Sequence, residues 1–388
     1  MKTYCKRADP SDPAQIETFI WDCLQPKLKR KDYSDFTSRY CRTPSKEIRR
    51  MAASGIGLTD ALQEAVRNVA LEISERIRQR DLRLDPIKYQ ERRDGLSKKV
   101  RSIGLMSVMQ QVMEHVAVGC MQELWTAKYE RHQYASIKGR GQLQGAKTIV
   151  KWTKRGKTKY FVKLDVRKCF ASISRDVCMK WLGRDIGKNA LLLWFVDSLL
   201  QMHGDGLVIG SLLSQFLCNY FMSYAYRFVK DLHKERRGKK TKMVECALFY
   251  MDDILLAGND RRNLVSAVRK MARYMSTSFG LEIKDTWHVR KHKDAGIDMM
   301  GYVVTSEGKL KIRRRIFIRA RRAFARLANG DKRLQTACRV SAYFGFFKAA
   351  KIRELITHEG KHVNIHTTQF EAASIVSQST RRRLLCAA

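Results

Sequence analysis

The sharpest hydrophobic pattern in the chain is an apolar run, Ala247-Leu248-Phe249-Tyr250-Met251, that breaks on the adjacent carboxylates Asp252-Asp253 and resumes as Ile254-Leu255-Leu256-Ala257. Unbroken apolar runs of this length read as buried strands, and a charged pair between them reads as a tight turn that lifts both aspartates out of the core. Upstream, residues 160–166 alternate, with Val162, Leu164 and Val166 on one face and Phe161, Lys163 and Asp165 on the other. That period predicts a strand buried on one side, with Asp165 near its C-terminal end. A helical period appears where Leu62, Val66, Val69, Ile73 and Ile77 recur, with Thr59 as N-cap and Arg67, Glu72, Arg76 and Arg78 outward. Further helices are predicted from Val108 through Val112 and Val116 to Met121, over 191–202, and from Ile209-Gly210-Ser211 to about 228. Two more follow over 262–279 and 313–327, the last with Arg315, Arg319, Arg322 and Arg326 in a stripe beside Ile316, Ala320, Ala323 and Leu327. Residues 1–58 hold four of the five prolines and predict short helices and loops, residues 230–242 a solvated basic loop, and 299–304 one strand.

Charge narrows what these elements are for. Lys and Arg total 76 against 38 Asp and Glu, a formal charge of +38. A compact body this positive repels itself unless it meets a polyanion. The 44% hydrophobic content excludes a disordered basic tail as the explanation, which leaves a folded nucleic-acid binder. At 388 residues the chain holds two or three lobes. The ten cysteines are scattered, without a Cys-x-x-Cys pair or a Cys/His cluster, which argues against zinc and for reduced thiols in a cytoplasm. No apolar leader follows Met1, and no stretch is long and apolar enough for a membrane span. Between Tyr134 and Gln142, Lys138 and Arg140 stand beside glycines in a basic loop that a phosphate can approach closely.

Two adjacent carboxylates are costly to desolvate and are best tolerated beside a divalent cation, and their hard oxygens suit Mg²⁺. A strand-borne aspartate, then a Gly-Ser helix start, then a hairpin bearing two aspartates is the order that two-metal nucleotidyl transfer requires. Here the sequence resembles the reverse transcriptases over about residues 95–350: Asp165 with Phe170 matches motif A, residues 209–215 stand where motif B belongs, and Tyr250-Met251-Asp252-Asp253 matches the Tyr-x-Asp-Asp of motif C. The resemblance implies an α+β right-hand polymerase: fingers over 59–155, a palm with an antiparallel sheet over 156–304, and a helical thumb with a basic tail over 305–388, behind a basic N-terminal extension, 1–58. It implies two Mg²⁺ ions, with Mn²⁺ as a substitute, on Asp165, Asp252 and Asp253, and Lys284 as the residue that protonates the leaving pyrophosphate. Lys138, Arg140 and Arg101 look like triphosphate ligands, Phe170 like the guard against a 2′-hydroxyl, and Ile209, Gly210 and Gln215 like the floor of the nucleotide site. Tyr250, the Gly301-Tyr302 turn and the Arg315, Arg319 and Arg322 stripe look like primer and template contacts.

Most reverse transcriptases carry Gln-Gly followed by Ser-Pro in motif B, where this chain has Ile209-Gly210 and Ser214-Gln215. That variant resembles the diversity-generating retroelement enzymes of bacteria and phages, as do Gly296-Ile297-Asp298 and the Tyr343, Gly345, Lys348 pattern. This subgroup implies an RNA template copied with errors at adenines, deoxynucleoside triphosphates as substrates, and a small basic helical accessory protein. Anti-phage defence and retron-type enzymes share much of the scaffold and are the alternative. An intron maturase fits less well because motif B departs, and an idle RNA-binding scaffold would have no reason to keep three mutually repelling carboxylates.

Overall fold

The computed structural model describes residues 2–93, 99–356 and 361–386, with the backbone alone for 236 and 380–386. Helices alternate with small antiparallel sheets, the expected α+β class. The sheet that matters for function has four strands in the order Cys246–Tyr250, Asp253–Gly258, Tyr160–Asp165 and Arg290–Lys291, each antiparallel to its neighbour.

Both faces of this sheet are covered. Val162, Leu164, Ala247, Phe249, Ile254 and Leu256 enter a large core shared with the helices Leu58–Arg78, Val108–Cys120, Leu212–Lys230 and Arg261–Phe279. Phe161, Cys246, Leu248, Leu255 and Ala257 face a second core with Tyr134, Ile149 and Trp152. Burial on both sides is why the two hairpin strands read as unbroken apolar runs rather than as alternation. It also corrects the one-sided reading of the Tyr160–Asp165 strand: Phe161 is buried, and only toward Lys163 and Asp165 does that face open. A third core joins Ile316, Ala320, Ala323, Phe324 and Leu327 of Arg314–Ala328 to the helix Leu334–Ala349, so the apolar stripe packs as the period predicts.

Three further expectations change. Leu58–Arg78 buries Leu62, Val66, Val69, Ile73 and Ile77, but its N-cap is Gly57 at φ +71°, not Thr59. Residues 230–242 hold a hairpin, His233–Arg236 paired with Lys239–Lys242, rather than a loop. Its turn, Arg237-Gly238, has φ of +50° and +71°, the left-handed pair that closes two-residue hairpins, and a wholly polar ribbon gives no alternation to reveal it. Residues 299–304 are likewise not one strand: Ile297–Met299 turns through Met300-Gly301 into Tyr302–Val304. The helices Pro13–Leu24, Lys31–Ser38 and Ser45–Ser54 are built into the large core through Ile16, Ile20, Tyr33, Phe36 and Ile48. Among the described residues no helix is long and apolar enough to cross a membrane.

Candidate active site

The two apolar strands leave only Met251 and Asp252 for their turn, and Met251 takes φ +53°. A long side chain in the left-handed region is strained, and such strain persists where the surroundings over-determine it. The turn exposes Asp252 and starts the next strand on Asp253. Asp253 lies opposite Tyr250 on one side and Asp165 on the other, so the three share one face at the end of the sheet. The Asp252 carbonyl accepts from Val166 N at 3.2 Å, which ties the turn to the end of the Asp165 strand.

Gly280 ends the helix Arg261–Phe279 in the left-handed conformation and sends the chain back along that strand. Arg167 N donates to Glu282 O at 2.8 Å and Lys284 N to Asp165 O at 3.0 Å. This brings Lys284 Nζ to 2.5 Å from Asp165 Oδ1, a buried oxygen whose partner is this ammonium. Desolvation by the surrounding protein holds Asp252 above the ordinary carboxylate range, and Asp253 and Asp165 add repulsion, eased by Arg101. Asp252 is itself exposed, so solvent tempers this desolvation. Burial likewise raises Asp253, with Lys163, Arg313 and Lys284 pulling the other way and Asp165 adding to the rise. Among the described residues no three His, Cys, Asp or Glu side chains are gathered into a formed metal centre. The donor set nevertheless fits a divalent cation: hard oxygens on carboxylates that resist ionising together.

On one flank the ribbon Lys88–Arg93/Val100–Leu105 carries Arg101, whose charge reaches Asp252. Gly104 of this ribbon donates its N–H to Ile209 O at 2.8 Å. Gly210 sits at φ +113° with Gly104 O so close that a side chain there would meet it at 2.6 Å. The loop bearing Ile209 and Gly210 is thus fixed by backbone contact, while the Ile209 side chain stays 39% exposed. Helix Leu212–Lys230 begins at Ser211, behind a buried Glu114. Glu114 accepts from Ser211 Oγ at 2.6 Å and Leu212 N at 2.7 Å, with His203 Nε2 at 3.3 Å. Phe170 lies half-buried just beyond the Asp165 strand, its carbonyl accepting from Leu207 N at 3.0 Å.

The basic loop after Tyr134 is less free than its glycines suggest. Arg140 donates to the carbonyls of Glu130 and Gln133, and Ser136 Oγ donates to Gln215 Oε1 at 2.9 Å. Lys138 is exposed. Gly301, at φ +83°, would place a side chain 2.7 Å from the Phe346 ring, and its carbonyl accepts from Arg313 N at 2.9 Å. Tyr302 is buried against Phe346. Arg315 and Arg322 are exposed and Arg319 half-buried on the following helix, outside the carboxylate cluster.

The structure brings Asp165, Asp252, Asp253 and Lys284 together, and sets Arg101 within electrostatic reach. Sequence reasoning missed Glu114, Lys163 and Arg313. Lys163 had a signal, since it stands two residues before Asp165 on the same strand face. Glu114 had none, because nothing in a helix interior announces the distant helix start it will cap. Arg313, held on Asp298 at 2.6 Å, has in sequence only the look of a helix start.

Residues 87–304, more than half of the chain, match the family model described as "Reverse transcriptase (RNA-dependent DNA polymerase)". No curated protein matches the chain. Among solved structures, the chain is similar to a telomerase from Candida albicans in complex with a TWJ fragment of telomeric RNA, at 12% identity and a TM-score of 0.39. That likeness covers 69% of this chain and only 56% of the length of the other, and at this distance it says nothing of function.

Proposed function

The chain belongs to the reverse transcriptases, the RNA-dependent DNA polymerases, and on that premise we propose that it extends a primer along an RNA template by nucleotidyl transfer at Asp165, Asp252 and Asp253. The observation that carries this reading is the convergence of the three carboxylates at one end of the sheet, with Lys284 on Asp165. These aspartates would hold two Mg²⁺ ions, or Mn²⁺ in their place. When bound, the ions neutralise charge on the attacking 3′-oxygen and the leaving pyrophosphate.

The chain's own residues do the rest. Lys284 Nζ carries the proton that the leaving pyrophosphate takes up. Arg101 and Lys138 bind the triphosphate, and Arg140 shapes the loop between them while keeping part of its fork for the ligand. Phe170 crowds the 2′ position of the sugar, while Ile209, Gly210 and Gln215 form the floor beneath the new base pair. Tyr250 and the Gly301-Tyr302 turn grip the primer end, and Arg315, Arg319 and Arg322 follow the template–primer backbone. In this scheme 59–155 act as fingers, 156–304 as palm and 305–388 as thumb. Incubation with primed RNA, Mg²⁺ and labelled deoxynucleotides tests it: extension is expected, and a protein that binds the RNA but adds nothing would overturn it.

The finer reading is the error-prone enzyme of a diversity-generating retroelement, working with a small basic helical accessory protein. The apolar Ile209 in place of glutamine supports it, because this exposed side chain offers a base pair no hydrogen bond. Sequencing the cDNA decides: misincorporation concentrated at template adenines is expected, and faithful copying of adenines would favour a defence or retron-type enzyme.

A further inference from the structure

The two ends of the central sheet differ in charge: one sets three carboxylates among cations, the other is basic throughout its exposed runs but for Glu235. The carboxylates stand where the Tyr160–Asp165 strand ends, and basic runs stand where it begins. Immediately before Tyr160, the exposed Lys154, Arg155, Lys157 and Lys159 lie in a stretch, 151–159, with no acidic residue. Shortly before Cys246 comes the exposed hairpin His233–Arg236/Lys239–Lys242, with Lys239, Lys240 and Lys242 on its second strand.

The register places these runs side by side. Cys246 pairs with Ala257 and Ala257 with Phe161, so the two strand starts lie about 10 Å apart at one sheet end. The carboxylates are about 17 Å away along the strand. The helix Leu212–Lys230 separates Gly210 from the hairpin by about 28 Å. The runs therefore form one basic surface that the catalytic cleft does not include.

Three features say what this surface fits. A two-stranded ribbon without a buried face is marginal alone, and the side chains described in 233–242 are all exposed. Glu235 lies opposite Lys240, but the remaining charges are all positive, with Arg236 opposite Lys239, and their repulsion destabilises the ribbon further until a polyanion neutralises it. No exposed large apolar side chain of the described residues falls in either run. The surface thus lacks the apolar anchor that membrane binding uses and the stacking rings that single-stranded bases use.

We propose that this end of the sheet is a second RNA-binding surface, which holds the phosphate backbone of a folded segment of the template outside the catalytic cleft. RNA as the polyanion rests on the proposed RNA-copying activity; the surface itself does not depend on catalysis.

Two variants of the full chain test it, Lys239→Gln/Lys240→Gln/Lys242→Gln and Lys154→Gln/Arg155→Gln/Lys157→Gln, both confined to exposed side chains and checked by melting temperature. Each should weaken binding of a long stem-loop RNA by about tenfold or more near physiological salt, and lower the log–log salt slope by about 2 to 3. Extension of a short primer–template duplex that fills only the cleft should stay within about twofold of wild type, on the same principle that phosphate contacts act separately. An unchanged slope overturns the proposal, as does equal loss on the short duplex. Loss of binding to phosphatidylserine vesicles with RNA affinity intact would assign the surface to a membrane and overturn it as well. Wild type that binds the stem-loop yet extends no primer would sink the polymerase reading and leave this surface standing.

Discussion

Two tight turns in this molecule open on a methionine in the left-handed region, Met251 at φ +53° and Met300 at φ +55°. The first is followed by Asp252 and ends in carboxylates facing the cleft. The second is followed by Gly301 and ends against the Phe346 ring and the Ile316 side chain. One turn presents charge and the other receives packing; they share a left-handed first residue and part at the second, where Gly301 is left-handed at φ +83° and Asp252 is not. The difference teaches that strain alone does not mark the chemistry: the residue after the strained position decides whether the turn performs the reaction or sets where its neighbours stand.

The hardest test of this division is Asp252→Asn. It removes a proposed metal ligand and leaves the basic surface alone, so primer extension should fall at least about 10³-fold, roughly 4 kcal/mol of transition-state stabilisation. RNA affinity should hold. Extension within about tenfold of wild type, about 1.4 kcal/mol, would remove the first turn from the chemistry. The same variant has a stability readout with a definite sign. Burial first raises Asp252 and Asp253 above 3.8; repulsion from Asp253 and Asp165 adds to the rise of Asp252, and repulsion from Asp165 adds to that of Asp253, against the pull of Lys163. Their neutral forms are therefore favoured in the fold. The stability they contribute is full below pH 3.8 and is lost as pH rises through the raised values. Asp252→Asn should thus melt higher than wild type at pH 7, with the gap closing toward pH 4. Added Mg²⁺ should raise the wild-type melting temperature more than the variant's, and equal shifts would argue against the metal assignment.

The same pair of turns shows how much was readable in the chain. Apolar residues broken by Asp252-Asp253 could only be a turn, because two carboxylates cannot stay in a core. The run 299–304 changes nothing in polarity across Met300-Gly301, so only the three-dimensional contacts reveal its reversal. The hairpin over 233–242 hid for the opposite reason, being polar throughout. Asp165 was legible from a period of two, while the burial of Phe161 in one core with Leu255, Ile297 and Met299 depends on elements far away in sequence. Glu114 shows the limit most plainly: its bonds to Ser211, Leu212 and His203 span about 90 to 100 residues, and no local pattern encodes them.

Phe170→Ala sharpens the catalytic side without touching a carboxylate. Opening space under the sugar should shift deoxy- over ribonucleotide preference by about 10- to 100-fold in the ratio of catalytic efficiencies. The steady-state rate with deoxynucleotides is the control. A selectivity that does not move would return Phe170 to ordinary packing beside Leu207.

Gly301→Ala probes the other turn. A side chain at φ +83° costs about 1–2 kcal/mol, and this one would also press the Phe346 ring at 2.7 Å. The melting temperature should fall, and the number of nucleotides added per binding event should drop as the displaced turn loosens its hold on the primer. A single incorporation, with the primer already seated, should keep its rate. Adding Phe346→Ala should recover part of the loss by clearing the contact. A slowed single incorporation would mean that the second turn takes part in the chemistry after all, and the contrast between the turns would collapse.

The smallest expected effect is at Ile209, and the structure makes it unusually clean to measure. The Ile209 carbonyl is held by Gly104 N at 2.8 Å, and Gly210 lies against Gly104 O. The backbone there cannot easily shift, so a substitution changes only what the exposed side chain offers. Isoleucine presents a stiff, branched, apolar surface, whereas glutamine donates and accepts hydrogen bonds. A correct base pair at this floor therefore gains little over a mismatched one in the wild type. One restored hydrogen bond is worth about 0.5–1.5 kcal/mol. Ile209→Gln should then lower misincorporation by about two- to tenfold, chiefly opposite template adenine, at nearly unchanged overall rate. Sequencing cDNA made by both proteins on one template reads the difference directly. If the error rates coincide, infidelity does not arise from this side chain, and the Arg101 ribbon that holds Ile209 in place becomes the next segment to vary.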